Sequence, residues 1–317
     1  ENCKLTDSVT VSAKAAGTGG SRLGLKKDDI ITVNDLLYGL MLRSGNDAAV
    51  ALAIHTAGSI EKFADLMNAK AIKLGLKNTH FVTPHGLDNE EHYTTAYELA
   101  KLTDYALKNE TFAKIVKTQS TTITINNSPK QINNTNELLG NVNGVYGVKT
   151  GFTNNAGRCL VTSVKRDDMD LIIVVLGADT RKDRAKDSMK LIEYAYKRYQ
   201  VVNLKEIIEK EFKLWRQINE KRIYINKGEG NIELEISEIK FPKIVTDVTP
   251  KIEINTTTYL QAPVEKDQRL GTLTVKIEDE ILEEIEIKSS KMIKKRGIIE
   301  YFNIIAKIYS GRINIIN

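Results

Sequence analysis

Lys149-Thr150-Gly151, with Tyr146-Gly147-Val148 before it and Phe152-Thr153 after it, is the string that most constrains this chain. A lysine, a threonine hydroxyl and a glycine on one strand bring positive charge, a hydrogen-bond donor for a carboxylate, and room for close approach. The string alone fits an ordinary turn equally well. A second string, Ser44-Gly45-Asn46, lies about a hundred residues upstream. On its own it would read as a serine ending one helix and an asparagine capping the next. Together the two strings point to a site that binds and activates an anionic acyl substrate.

The flanking sequence gives each string a rigid support. Thr32 and Asp35 have the spacing of a helix start, and Leu36, Leu37, Leu40 and Met41 form its inward face up to Arg43. A second helix is expected from about Asp47 to Gly58, and a third from Ile60 to Leu74. Thr95 and Glu98 start another that runs to about Lys108. Residues 78–95 read as a loop carrying His85 and His92, whose better reading is structural packing. Alternation predicts a hairpin over Ser120–Ile132 and strands near Arg158–Lys165 and Leu171–Gly177, turning at Asp167-Asp168. A helix over Arg184–Tyr199 is expected to bury Met189, Ile192, Ala195 and Tyr199.

Past residue 200 the pattern changes to short alternating runs, Ile232-Leu234-Ile236, Ile252-Ile254, Leu273-Val275-Ile277 and Ile285-Ile287. The reading is therefore a first domain over residues 1–200, a C-terminal β-rich domain over 201–292, and a tail over 293–317. In the tail Ile298, Ile299, Phe302, Ile305 and Ile308 fall near helical spacing among Lys294, Lys295, Arg296, Lys307 and Arg312. A basic amphipathic helix of this kind reads as a membrane-surface anchor or as a helix packed on its domain.

Composition excludes several classes. With 41% hydrophobic and 27% charged residues the chain has the balance of a folded soluble protein. A formal charge of +5 suits an anionic surface, and no nucleic-acid motif accompanies it. Two cysteines and four histidines show no metal-ligand spacing, so no metal and no cofactor are expected.

The two strings recur in family order with Gly75-Leu76-Lys77-Asn78-Thr79, Pro84-His85-Gly86-Leu87, Asn134-Thr135-Asn136-Glu137-Leu138-Leu139, Ala262-Pro263 and Leu270-Gly271. On these residues the chain resembles the D-alanyl-D-alanine carboxypeptidases, the low-molecular-mass penicillin-binding proteins, over nearly its whole length. It looks closest to their Gram-positive, spore-former branch. The resemblance implies an α/β transpeptidase fold of the penicillin-binding-protein and β-lactamase type, with helices on an antiparallel sheet, followed by a small all-β domain. It implies a serine hydrolase that removes the terminal D-Ala of peptidoglycan stem peptides through an acyl-serine. The partners implied are a stem peptide ending in D-Ala-D-Ala, β-lactam antibiotics and a membrane surface, with no nucleic acid. The place implied is the outer face of the cytoplasmic membrane.

Residue roles follow from the same resemblance. Ser44 would relay a proton to the leaving amine, and Asn46 would bind the acyl-side carbonyl. Lys149 would set the local positive potential, Thr150 would hold the terminal carboxylate, and Gly151 would let the substrate approach. Phe152 would offer its backbone N–H to the oxyanion. Arg184 falls where the family has an arginine supporting the carboxylate pocket, with Arg181 nearby. The nucleophile is the departure. The chain has Ser59–Lys62, whose serine reads as a helix cap, and Ser237–Lys240, which falls on a β-domain strand. Neither fits, so Ser-x-x-Lys is expected upstream of Glu1 and this sequence is expected to be a piece of a longer protein. A class A β-lactamase and a non-catalytic wall-binding or penicillin-sensing protein are the alternatives.

Overall fold

The structure, a computed structural model, describes residues 3–310, so Glu1 and Arg312 lie outside the described residues. It divides into two compact units, residues 1–197 and 198–317.

In the first unit β1 (Ser8–Thr10) pairs antiparallel with β2 (Ile30–Thr32), and the short α1 (Ala13–Ala16) lies between them. Then come α2 (Val33–Arg43), α3 (Asn46–Ala57) and α4 (Ile60–Lys73). Their starts are fixed locally. The Thr32 hydroxyl accepts from Asp35 N–H and the Ser59 hydroxyl accepts from Lys62 N–H, satisfying N-terminal donors that the helix itself cannot. Ser59 is therefore the cap that its sequence indicates. α5 (Ala96–Leu107) starts in the same way at Thr95, although only half of the expected reciprocal cap forms. The Glu98 carboxylate turns instead to Asn78 N–H and the Thr79 hydroxyl, and so ties down the loop ahead of the helix. α6 (Glu110–Lys117) was not expected from the sequence; Asn109 caps it, and Ile115 and Val116 are its buried residues.

The hairpin of β3 (Ser120–Ile125) and β4 (Ser128–Asn133) follows, then the antiparallel sheet of β5 (Val145–Thr153), β6 (Gly157–Arg166) and β7 (Met169–Ala178) in that order. β5, which carries Lys149-Thr150-Gly151, is an edge strand. α7 (Arg181–Arg198) closes the unit. Its buried residues are Arg184, Ser188 and Ile192, while Met189 and Tyr199 are exposed, so the face expected from the apolar positions is corrected. Arg184 occupies a buried position there because it has a charged partner, Glu137, on another segment. One core gathers α2, α3, β1 and β2 around Val9, Leu25, Ile31, Leu36, Leu42 and Val50. A smaller core joins the sheet to α7 through Leu138, Leu160, Val164 and Ile192.

The second unit opens with β8 (Gln200–Val202) and a long helix, α8 (Leu204–Asn219). Leu204, Ile208 and Phe212, four apart, bury one face of that helix. This helix differs from the all-β reading of the region, because its period of four lies among alternating runs. The remaining strands are β9 (Tyr224–Asn226), β10 (Leu234–Ile236), β11 (Ile244–Thr246), β12 (Lys251–Thr256), β13 (Tyr259–Gln261), β14 (Arg269–Ile277) and β15 (Glu280–Ser289). β10, β15, β14 and β12 form an antiparallel sheet whose inward residues include Leu273, Val275, Ile285 and Ile287. Ser237 lies just past β10 and Lys240 is exposed beyond it, so that pair is not on a strand as expected. α9 (Ile298–Tyr309) ends the described chain, and none of its residues is buried.

Candidate active site

Three segments of the first unit converge on one cleft of about 1090 Å3. The α2–α3 junction brings Ser44 and Asn46, β5 brings Lys149, Thr150, Gly151 and Phe152, and the start of α7 brings Arg181 and Arg184.

Ser44 ends α2 in the left-handed region, at φ 55° and ψ 40°. A side chain with a Cβ is disfavoured there, and such strain persists where neighbours hold it. The conformation directs the hydroxyl to β5, where Lys149 Nζ donates to Ser44 Oγ. Lys149 also donates to Thr150 O at 2.9 Å. Burial pushes the Lys149 ammonium down to about 8, and the nearby Arg184 charge acts in the same direction. The Thr150 hydroxyl shares a hydrogen bond of 2.7 Å with Thr135 Oγ1.

Asn46 is buried, and its Nδ2 donates to Gly19 O at 2.8 Å. Its N–H donates to Ser21 O at 2.8 Å. Gly20, at φ +80°, makes this approach possible, because a Cβ there would lie 2.5 Å from Asn46 Nδ2. Asp47, next in sequence, fixes the same wall. Its fully buried carboxylate accepts from the N–H groups of Leu23, Gly24, Leu25 and Ala48.

Phe152 is exposed at the cleft rim, and the Arg158 guanidinium lies 3.5 Å from its ring centroid. Arg184 is buried and donates through Nη2 to both oxygens of Glu137, at 2.5 and 2.6 Å. Arg181 is exposed at the mouth. His85 lines the cleft and its Nδ1 accepts from Leu87 N–H, while His92 Nδ1 accepts from Val82 N–H. Both rings therefore hold the 78–95 loop. Burial lowers the pKa of each.

The structure thus brings together all seven residues singled out from sequence. Thr135, Glu137, Asp47 and Arg158 were not given roles beforehand. Thr135 and Glu137 lie inside the run Asn134–Leu139 that carried the resemblance, and Asp47 directly follows Ser-Gly-Asn. The two Ser-x-x-Lys strings are not among the residues lining the cleft. One cluster that sequence spacing did not show joins Cys3, Asp7 and His55, whose ligand atoms lie within 4.8 Å of one another. There Cys3 Sγ bonds the Thr56 hydroxyl and Asp7 accepts from Lys4 N–H.

Residues 1–180 match the model of the D-alanyl-D-alanine carboxypeptidase family. The chain is 37% identical over 305 residues to D-alanyl-D-alanine carboxypeptidase DacF of Bacillus subtilis, covering 94% of this chain and 76% of that protein. Among solved structures it is similar to the D-alanyl-D-alanine carboxypeptidase DacD from Francisella tularensis, with a TM-score of 0.70 and 26% identity over 93% of this chain and 83% of the other. It is also similar to penicillin binding protein 5 from Haemophilus influenzae, with a TM-score of 0.66 and 27% identity over 92% and 84% of the two chains.

Proposed function

The chain belongs to the D-alanyl-D-alanine carboxypeptidase family, and from that premise we propose how its cleft serves a serine-type hydrolase acting on peptidoglycan stem peptides. Lys149 and Thr150 receive the terminal carboxylate of D-Ala-D-Ala. Asn46 faces the acyl-side carbonyl, and edge strand β5 lies alongside the peptide. In the reaction a serine oxygen bonds to the carbonyl carbon between the two alanines. The C–N bond breaks, the terminal D-Ala leaves with an added proton, and water later splits the acyl-serine ester. Ser44, bonded to Lys149, is placed to hand that proton to the leaving nitrogen. The single observation that carries this assignment is the Lys149–Ser44 hydrogen bond beside the Thr150 hydroxyl. The β-lactamase and non-catalytic readings are not favoured by the family match.

The test uses the 317-residue chain and N-acetyl-D-Ala-D-Ala in a calorimetric or NMR titration. Saturable binding, competed by penicillin and weaker for the L,L isomer, is expected. Equal binding of both isomers would overturn the assignment. The acyl-forming serine of this reading is neither Ser59, which caps α4, nor Ser237, which lies in the second unit. A labelled penicillin is therefore expected to leave no denaturation-resistant adduct at either serine, as read by peptide mapping. Labelled Ser59 or Ser237 would contradict this.

We also infer that α9 lies on a membrane surface and, from the wall peptide proposed as substrate, that the surface is the outer face of the cytoplasmic membrane. Among the described residues no helix is long and apolar enough to cross a bilayer. α9 exposes Ile298, Ile299, Phe302 and Ile305, and the basic segment before it is tied to residues 227–229 by backbone hydrogen bonds. One short helix of this kind gives reversible binding, stronger on anionic lipid and weaker in salt. Co-sedimentation with anionic vesicles at low salt is expected for the chain and lost on deleting residues 298–317, which spares the buried Ile293 and its hydrogen bonds to Val264. Equal pelleting of both forms, or of neither, would rule the anchor out.

A further inference from the structure

Arg184 has the buried position expected of a carboxylate-binding arginine, yet it already holds a carboxylate. Its Nη2 donates to Glu137 Oε1 and Oε2 at 2.5 and 2.6 Å, and its Nη1 reaches Cys159 O at 3.4 Å. The Arg184 side chain is 5% exposed and that of Glu137 is 35% exposed, so the acid forms the solvent side of the pair. Both residues line the cleft.

The loop that carries Glu137 is fixed along its length. Thr135 N–H donates to Leu42 O at 3.0 Å, and Asn136 Nδ2 donates to Gly147 O at 3.1 Å. Asn136 Oδ1 accepts from Leu138 N–H, and Asn141 Nδ2 donates to Glu137 O. Glu137 is thus delivered to Arg184 by a bonded backbone. Charge-assisted pairs in such a partly dry wall are strong, and an arriving anion must compete with one.

We propose that Glu137 is a specificity-determining residue: a carboxylate built into the cleft wall that occupies Arg184 and leaves the substrate's terminal carboxylate to Lys149 and Thr150. The pair cancels the Arg184 charge locally and leaves Lys149, hydrogen-bonded to Ser44 and next to the Thr150 hydroxyl, as the cation that meets a terminal carboxylate. This inference rests on the anion-binding reading of the cleft.

The experiment compares the 317-residue chain with E137Q and with the double variant E137Q/R184Q, titrated with N-acetyl-D-Ala-D-Ala and with its C-terminal amide. Gln keeps an oxygen for Arg184 but removes the charge. E137Q is expected to bind the carboxylate peptide about tenfold more tightly, the amide peptide unchanged, and the double variant is expected to lose the gain. The double variant also removes the buried cation, so a folding defect in E137Q from an unpaired Arg184 is separated from the binding effect. If the parent chain prefers carboxylate to amide and folded E137Q binds no more tightly, this inference alone falls. If no form prefers carboxylate to amide, the anion-binding reading falls and takes this inference with it.

Discussion

Lys149→Ala is expected to remove most of the cleft's affinity for a carboxylate-terminated peptide. The loss should be about 2–4 kcal/mol, the scale of one charge-assisted contact in a water-poor site. The ammonium is partly buried and donates to Ser44 Oγ and Thr150 O, so no water replaces it in the same geometry. Its proton is also the reason for a pH dependence. The Lys149 pKa lies near 8, down from 10.5, so affinity for the carboxylate should fall as pH rises through about 8, and the alanine variant should show no such fall. Stability moves in the opposite sense. Between about 8 and 10.5 the unfolded lysine holds a proton that the folded one lacks, so stability rises with pH across that window. It is lost again as pH falls through 8, where the fold carries the burial cost of the charge. Titrations of both proteins from pH 6 to 10 (about two units either side of 8) and melts over the same range and on to 10.5 read these effects. Unchanged affinity in Lys149→Ala would remove Lys149 from the site.

The largest effect on the first unit's stability is expected from Asp47→Ala. Its carboxylate accepts from Leu23 and Gly24 N–H at 2.8 Å and from Leu25 and Ala48 N–H at 3.0 Å. Alanine leaves the Leu23 and Leu25 N–H groups without their acceptor in a buried wall. Hydrogen bonds to a charged group contribute about 1.5–3 kcal/mol each, and the orphaned donors add a desolvation cost. A loss of about 4 kcal/mol, after partial rehydration of the segment, should appear as a large fall in the urea midpoint and in hydrogen-exchange protection of α3. The peptide site should weaken as well, because the same 19–25 segment holds Asn46 through Gly19 O and Ser21 O. A midpoint within about 1 kcal/mol of the parent would show that the clamp is not structural.

Much of the architecture was legible because its causes are local. Thr32, Ser59 and Thr95 cap helices through donors three residues ahead, and period-two alternation marks the hairpins around Asn126-Asn127 and Asp167-Asp168. Leu204, Ile208 and Phe212 carry a helical period that the surrounding alternation obscured, and Asn109 caps a helix too short to stand out. The buried face of α7 departs from the apolar pattern for another reason. Apolar positions such as Met189 face solvent there, while Arg184 is buried because its partner, Glu137, is 47 residues away in sequence. No window along the chain contains that pairing.

The sequence by itself determined that a lysine-threonine-glycine strand and a serine-glycine-asparagine junction both exist, and that caps and strand alternation make them rigid. Which side chains meet was decided only by tertiary structure. Lys149 reaches Ser44 across 105 residues because β5 is the edge of its sheet and α2 ends in a left-handed turn beside it. Asp47 gathers the backbone of residues 23–25, and Glu137 meets Arg184, because strand register and helix packing place them within hydrogen-bond reach. Hydrogen bonds act over about 3 Å, whereas periodicity and capping specify only neighbours a few residues apart.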